Sequence, residues 1–313
     1  MAPVEWNVLH LIAYAAAIAY AAEKVYALSG SLIPRLLGRS ILRRLFPFKA
    51  TKVIKIEHKA NFETSRDALV SLFPMVPGDK ADVNHWFLPV ILSSLAVLDL
   101  FAHKDFPFSL LGALHVSSQI TLGLSLDLRE PLDRGSEFNR ANSMWRPELL
   151  LDSSRGTVVR VSVTFKSAIC VNEYLFPGVH IPGIGKWLRL PPSNLEPWAG
   201  QLSLNNEIAG KWSRISQDYN PIHLSPLLAR LFGFKGQVAH GMSVAMIALR
   251  RVDAFREMSS GTLSVNFYRP IILPSDCALH TSPEASTASI VCNGVVCTKL
   301  SWSRTELRPD TQK

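Results

Sequence analysis

A chain of 313 residues with 48% hydrophobic side chains can bury one large core or two small ones, and two units of about 150 residues each are the first expectation. The net charge of +8 favours acidic partners, but no zinc-finger, homeodomain or RNA-recognition pattern accompanies it, which sets nucleic acid aside in favour of anionic lipid or phosphate-bearing carriers. The four cysteines, Cys170, Cys277, Cys292 and Cys297, have the spacing of neither a disulfide framework nor a metal site, so a reducing compartment is expected.

From Val4 to Ala22 the chain is almost wholly apolar, and Glu23-Lys24 close the run. A helix crosses a bilayer with roughly 17–25 residues, so this stretch is just long enough. Arg35, Arg39, Arg43, Arg44, Lys49 and Lys52 follow, spaced as on one side of an amphipathic helix. Residues 1–52 therefore read as an N-terminal apolar and basic helical segment. One reading is a membrane anchor that leaves the rest of the chain on the cytoplasmic or organellar matrix face. The other is a helix packed on the globular body with its arginines solvated. No basic stretch precedes the apolar run, which argues against a cleaved secretory signal.

The alternating run Val53 to His58 predicts a strand, and Pro74 to Asp79 a turn-rich patch. His85 to Leu98 predicts a buried helix with Pro89 in its first turns. Leu111 to Ile120 has strand character, 129–150 reads as a loop or edge element, and Thr157 to Val171 alternates as a strand. Residues 176–200, rich in proline and glycine, are the best linker between a first unit over 53–175 and a second over 201–303. Strands are expected within Gly261 to Leu273 and Ala288 to Ser303, and 304–313 is a polar tail. An internal repeat supports two like units. His85 and its apolar run correspond to His240 and the run Val244 to Val252, and Gly112 to Val116 correspond to Gly261 to Val265.

The most informative stretch runs from Ser216 to Met242. Asp218 and His223 stand five residues apart across Asn220-Pro221, and proline disfavours helix at the residue before it, so both lie on a bent loop that can aim them at one point. Then come Gly233-Phe234-Lys235-Gly236 and Ala239-His240-Gly241-Met242, the last opening an apolar run that reads as a buried helix. The first amides of a helix are free, and free amides stabilise a developing oxyanion. Each residue also has a plainer reading, with Asp218 as a helix N-cap and His223 as a satisfied histidine in the same turn. His223 and His240 lie seventeen positions apart with no cysteine or carboxylate cluster around them, so no metal site is expected.

These residues resemble the motif of MaoC-like R-specific enoyl-thioester hydratases and 3-hydroxyacyl-thioester dehydratases, Ser/Thr-Gly-Asp-x-Asn-Pro-Ile/Leu-His followed by Gly-Phe-Lys and Ala-His-Gly-Met. The one departure in the loop is Gln217 in place of glycine. The resemblance implies an α+β double hotdog, each unit wrapping a curved antiparallel sheet around a long helix. The first unit, which lacks the Asp-x-Asn-Pro-x-His loop, is then a degenerate copy. The resemblance further implies Asp218 and His223 as the acid/base pair on one water, with their two roles left open, and Gly241 as oxyanion donor. Asn220, Ser216 and His240 are expected to support the loop, and Phe234, Met242 and Trp86 to meet the acyl substrate. No cofactor is expected beyond the coenzyme A or phosphopantetheine of the substrate. The implied partner is an acyl-CoA or acyl carrier protein thioester, held by a monomer with an internal pseudo-dimer or by a homodimer. The alternatives are a hotdog acyl-thioesterase and a non-catalytic acyl-thioester binder or membrane scaffold.

Overall fold

The computed structural model describes residues 54–59, 84–103, 105–110, 113–123, 140–165, 168–181, 185–186, 196–256, 258, 260–282 and 286–304. The apolar N-terminal segment, the turn patch at Pro74 to Asp79 and the polar tail beyond 304 lie outside the described residues.

The first half contains strand β1 (Ile54–Lys59), helix α1 (Asn84–Ala102) and strands β2 (Leu114–Leu122), β3 (Arg140–Ser153), β4 (Gly156–Thr164) and β5 (Ala168–Pro177). A short β6 (Gly185–Lys186) follows. The second half opens with β7 (Trp198–Leu204) and helices α2 (Glu207–Ser216), α3 (Pro221–Leu224), α4 (Pro226–Leu231), α5 (Gly241–Leu249) and α6 (Asp253–Arg256). It closes with β8 (Gly261–Phe267), β9 (Ser275–Thr281), β10 (Thr287–Cys292) and β11 (Val295–Ser303).

The strands join in the order β1-β3-β4-β5-β2-β8-β11-β10-β9-β7, with β6 beside β3. All neighbours along this path are antiparallel, and β6 alone pairs in parallel. Folded about the β2/β8 seam the order maps onto itself, with β2 on β8, β5 on β11, β4 on β10, β3 on β9 and β1 on β7. The internal repeat thus reappears as spatial symmetry. At the seam Ser117 pairs with Asn266, Ile120 with Leu263 and Leu122 with Gly261.

Each half is packed against its own apolar helix, a hotdog-like arrangement. Helix α1 lies across β1 to β5, and α5 packs on β8 and β11. Neither helix has a polar face of any width, because both are enclosed: Trp86, Phe87, Ile91, Leu92 and Leu100 on α1 and Val244, Ala245, Met246 and Ala248 on α5 are fully buried. Burying the larger of these side chains contributes roughly 1.5–3 kcal/mol each, so this interior is what holds helices and sheet together. Among the described residues, no helix is long and apolar enough to cross a membrane.

Several expectations need correction. The single strand read from Thr157 to Val171 is a hairpin, turning where the Phe165 amide donates to the Ala168 carbonyl. The expected loop over 129–150 is in its second part strand β3, whose register against β4 shifts between Trp145 and Leu150, around Pro147, which has no amide hydrogen to offer the ladder. Within Ala288 to Ser303, where strands are expected, two are found, joined at Asn293-Gly294, both with left-handed φ (52° and 73°). Asn-Gly is the sequence signature of such a turn and was there to be read. Cys277 and Cys292, directly opposed on β9 and β10, form a disulfide, whereas Cys170 and Cys297 are free and buried. Fifteen residues of separation concealed a pair that only the strand register makes adjacent.

Candidate active site

The loop between α2 and α3 carries Asp218 and is fixed almost entirely by its own side chains. Ser216 Oγ donates to the Trp212 carbonyl and accepts from the Asp218 amide at 3.2 Å. Asp218 Oδ1 accepts from the Asn220 amide at 3.1 Å, and Asn220 Oδ1 in turn caps α3 by accepting from the Ile222 amide. Pro221 opens α3, where its missing N–H has no partner to lose. Asn220 also reaches into the other half of the chain, its Nδ2 donating to the Ala113 carbonyl at 3.3 Å.

Gln217 occupies the C-cap of α2 with φ 56° and ψ 15°, the left-handed region that glycine adopts without penalty. Gln217 takes up this conformation despite its Cβ, and its Nε2 donates to the Arg214 carbonyl at 2.8 Å.

His223 is buried on α3. Its Nδ1–H donates to the Val238 carbonyl at 2.8 Å, because a carbonyl can only accept, which leaves Nε2 as the ring's acceptor. Gln237 ties the same region together: its Nε2 donates to the His223 carbonyl and its Oε1 accepts from Asn206. His240 caps α5 and lies face to face with His223, ring centroids 3.7 Å apart. Its Nε2–H donates to the Asp218 carbonyl at 3.1 Å and stands 3.8 Å from the carboxylate Oδ2. His240 Nδ1 is buried and has no partner. The Asp218 side chain keeps 38% of its exposure while that of His240 keeps 3%, so the carboxylate is the solvent-facing member of the group.

Burial lowers the pKa of His223, opposed by the nearby Asp218 charge and the bond to Val238. Burial depresses His240 further, and the neighbouring His223 adds to the effect. Both rings are thereby held neutral near pH 7, with the proton more easily accepted by His223, the one favoured by the carboxylate.

At the start of α5, Gly241 is required by close approach: a Cβ there would lie 2.5 Å from the Phe267 ring. The first amides of this nine-residue helix have no intrahelical acceptor, and Gly241 and Met242 line the same cavity as Asp218 and His223. That cavity, of about 230 Å3, is walled by both halves of the chain. Ser94, Val97, Leu98 and Phe101 of α1 line it together with the loop and the start of α5, as do Phe234 and Met242.

The structure thus brings Asp218, His223, Asn220, His240, Gly241, Phe234 and Met242 to one cavity, with Ser216 holding the loop from below. Trp86 is not among the lining residues. Its ring is wholly buried against Phe255, and Nε1 donates to the Met258 carbonyl at 2.8 Å. The α1 residues that do line the cavity start at Ser94, and at 1.5 Å per residue the twelve positions from Trp86 to Leu98 span about 18 Å of helix. The sequence pointed to the right helix and the wrong end of it. Sequence reasoning gave no functional role to His115 and Tyr174, whose rings stack at 4.6 Å and line the cavity, or to Arg269, which is exposed at it. Contrary to the sequence spacing, Asp218, His223 and His240 present ligand-type atoms within 4.8 Å of one another.

An antiparallel sheet packed on apolar helices, with an Asp/His loop beside a helix N-terminus, is a hotdog-like frame around a candidate acid/base site. Residues 201–293, the second half, match the family model described as the MaoC like domain. Over 201 residues, 62% of this chain and 68% of the relative, the sequence is 28% identical to 3-hydroxyacyl-thioester dehydratase X of Mycobacterium tuberculosis. The crystal structure of HtdX from Mycobacterium tuberculosis matches 81% of this chain and 100% of its own, with a TM-score of 0.60 and 21% identity. A MaoC-like dehydratase from Phytophthora capsici gives a TM-score of 0.55 and 14% identity over 81% of this chain and 96% of its own. At these identities the structural likeness is one of fold.

Proposed function

We propose that the chain is a hydro-lyase that interconverts trans-2-enoyl and (R)-3-hydroxyacyl thioesters in fatty-acid metabolism. One observation carries the reading: Asp218 and His223 come together at a cavity that Gly241, the first residue of α5, also lines. Adding water across the double bond puts oxygen on C3 and hydrogen on C2, and negative charge builds on the thioester oxygen between the two events. Asp218 and His223 hold the water, one removing its proton and the other serving the α-carbon. The Gly241 amide donates to the thioester oxygen as its charge grows, and the enclosed site strengthens that bond. In dehydration the same groups run in reverse.

The reaction as written needs no metal, and the site fits one poorly. A ligating imidazole holds its ion in the ring plane, whereas the two rings here are stacked at 28° with one nitrogen of each donating to a carbonyl. The two halves, divided as 53–175 and 201–303 about the linker 176–200, act as the two units of a double hotdog, so one chain supplies the pair that forms the site. Substrates are thioesters of coenzyme A or acyl carrier protein, drawn by the basic surface. Attachment to a membrane through residues 1–52 is part of the same proposal.

The test is to give the purified protein crotonyl-CoA and a longer enoyl-CoA. Loss of the conjugated-thioester absorbance without thiol release supports the reading. Release of free thiol points instead to a thioesterase, and binding without turnover to a scaffold.

A further inference from the structure

We propose that His115, contributed by the first half of the chain, contacts the substrate: its Nδ1 accepts the hydrogen bond of the oxygen that adds to C3, first as water and then as the 3-hydroxyl. The proposal rests on the dehydratase reading and adds to it a specificity-determining residue from the half that lacks the Asp-x-Asn-Pro-x-His loop.

The tautomer of His115 is fixed by its surroundings. Nε2 lies 2.9 Å from the Ser117 carbonyl and 2.9 Å from Ser118 Oγ. The carbonyl can only accept, and the Ser118 hydroxyl hydrogen is committed to Asn172 Oδ1 at 2.6 Å, so Ser118 Oγ accepts as well and the ring proton resides on Nε2. Nδ1 is then a bare lone pair, and no donor among the described residues reaches it. The interruption of the β2/β5 register between His115 and Ser117 is what lets one ring nitrogen fold back onto the strand's own backbone.

The ring is also held in place. It stacks on Tyr174 with 4.6 Å between centroids and 15° between planes, and its other neighbour is Phe267, 5.1 Å away. Phe267 is the ring that lies against Gly241. His115 therefore stands one aromatic ring from the amide that marks the thioester oxygen, and C3 is two bonds from the thioester carbon. The Asp218 carboxylate is close enough across the cavity to act electrostatically on both His115 and Tyr174. Burial lowers the His115 pKa to about 4, so near pH 7 the ring stays neutral and Nδ1 stays an acceptor.

An acyl chain cannot satisfy that acceptor, whereas an O–H can. The attacking water has two hydrogens. One leaves to the Asp218/His223 pair, and the other remains on the new hydroxyl, bonded to Nδ1. The same bond favours the 3-hydroxyacyl thioester over its saturated analogue.

Isothermal titration of the full chain with (R)-3-hydroxybutyryl-CoA and with butyryl-CoA reads this directly. Wild type should prefer the hydroxylated ligand. His115→Phe, which keeps the stacked ring, and His115→Gln, whose amide replaces Nε2, should each lose that preference by about 5- to 10-fold, the worth of one hydrogen bond, while still binding butyryl-CoA as before. His115→Asn, whose side-chain oxygen can replace Nδ1, should retain it. An unchanged preference in the Phe and Gln variants overturns the role of His115 while leaving the dehydratase reading in place. A wild type that binds neither thioester overturns both.

Discussion

The imidazoles of His223 and His240 lie face to face, 3.7 Å between centroids and 28° between planes, and the Asp218 charge favours a proton on His223, whose Nε2 is left as acceptor. The adjacent ring is bonded to the backbone of the loop that carries that carboxylate. Two histidines of like burial are thus assigned different work by what their nitrogens touch.

Substitutions that preserve one nitrogen at a time should separate them. His223→Asn keeps a donor toward Val238 and removes Nε2, so kcat should fall by about 10²–10⁴ with the unfolding midpoint near wild type. His240→Ala should instead lower stability by about 1–3 kcal/mol, and His240→Gln, which restores a donor toward Asp218, should recover most of it. Steady-state hydration of crotonyl-CoA beside urea unfolding reads both. A His223→Asn enzyme of normal kcat would remove that residue from the chemistry.

Gly241→Ala places a methyl 2.5 Å from the Phe267 ring, so the ring or the start of α5 must move and the oxyanion donor with it. We expect a loss of about 10²–10³ in kcat, the usual result of displacing such a donor. Gly241→Ala combined with Phe267→Leu should regain at least part of that loss, since the second change makes room. No recovery in the double variant would mean that crowding is not the cause.

Gln217 holds a left-handed φ of 56°, which costs a residue with a Cβ about 1–2 kcal/mol. Glycine relieves that strain but gives up the bond to the Arg214 carbonyl and adds entropy to the unfolded chain, about 0.5–1 kcal/mol. Gln217→Gly should therefore match or slightly exceed wild-type stability with kcat unchanged. A clear fall in melting temperature would show that the side chain, rather than the backbone angle, holds this turn.

His115, His223 and His240 all have folded pKa values below the ordinary 6.5. The unfolded chain then takes up protons that the native state refuses. The stability these neutral rings contribute is present above pH 6.5 and is lost as pH falls, for His115 down to about 4. Each ring contributes up to about 1.4 kcal/mol per pH unit within its window. Urea unfolding at pH 7.5, 6 and 5 should show a falling midpoint, and His115→Phe should show a shallower fall. Equal slopes in the two proteins would contradict a buried neutral ring at that position.

The Asp218 loop was legible because it is local: Asp218, Asn220, Pro221 and His223 set their own geometry through bonds spanning two or three residues. The two helices and their repeat were legible as apolar runs. What stayed hidden depends on pairing between distant strands. His115 faces the site only because β2 lies between β5 and β8, and Cys277 meets Cys292 only through the β9/β10 register. Trp86 failed for a third reason, since an apolar run shows that a helix is enclosed and not which of its ends meets the cavity.

The seam where β2 and β8 share a ladder has an evolutionary consequence. When two identical subunits build such a site, every mutation is imposed on both walls at once, and a residue useful for chemistry on one side must be tolerated on the other. Here the walls are encoded separately, so the one that carries Asp218, His223 and the start of α5 can differ from the one that carries Tyr174, His115 and the aromatic packing behind Phe101. Asymmetry of that kind is open to a fused pair and closed to a homodimer.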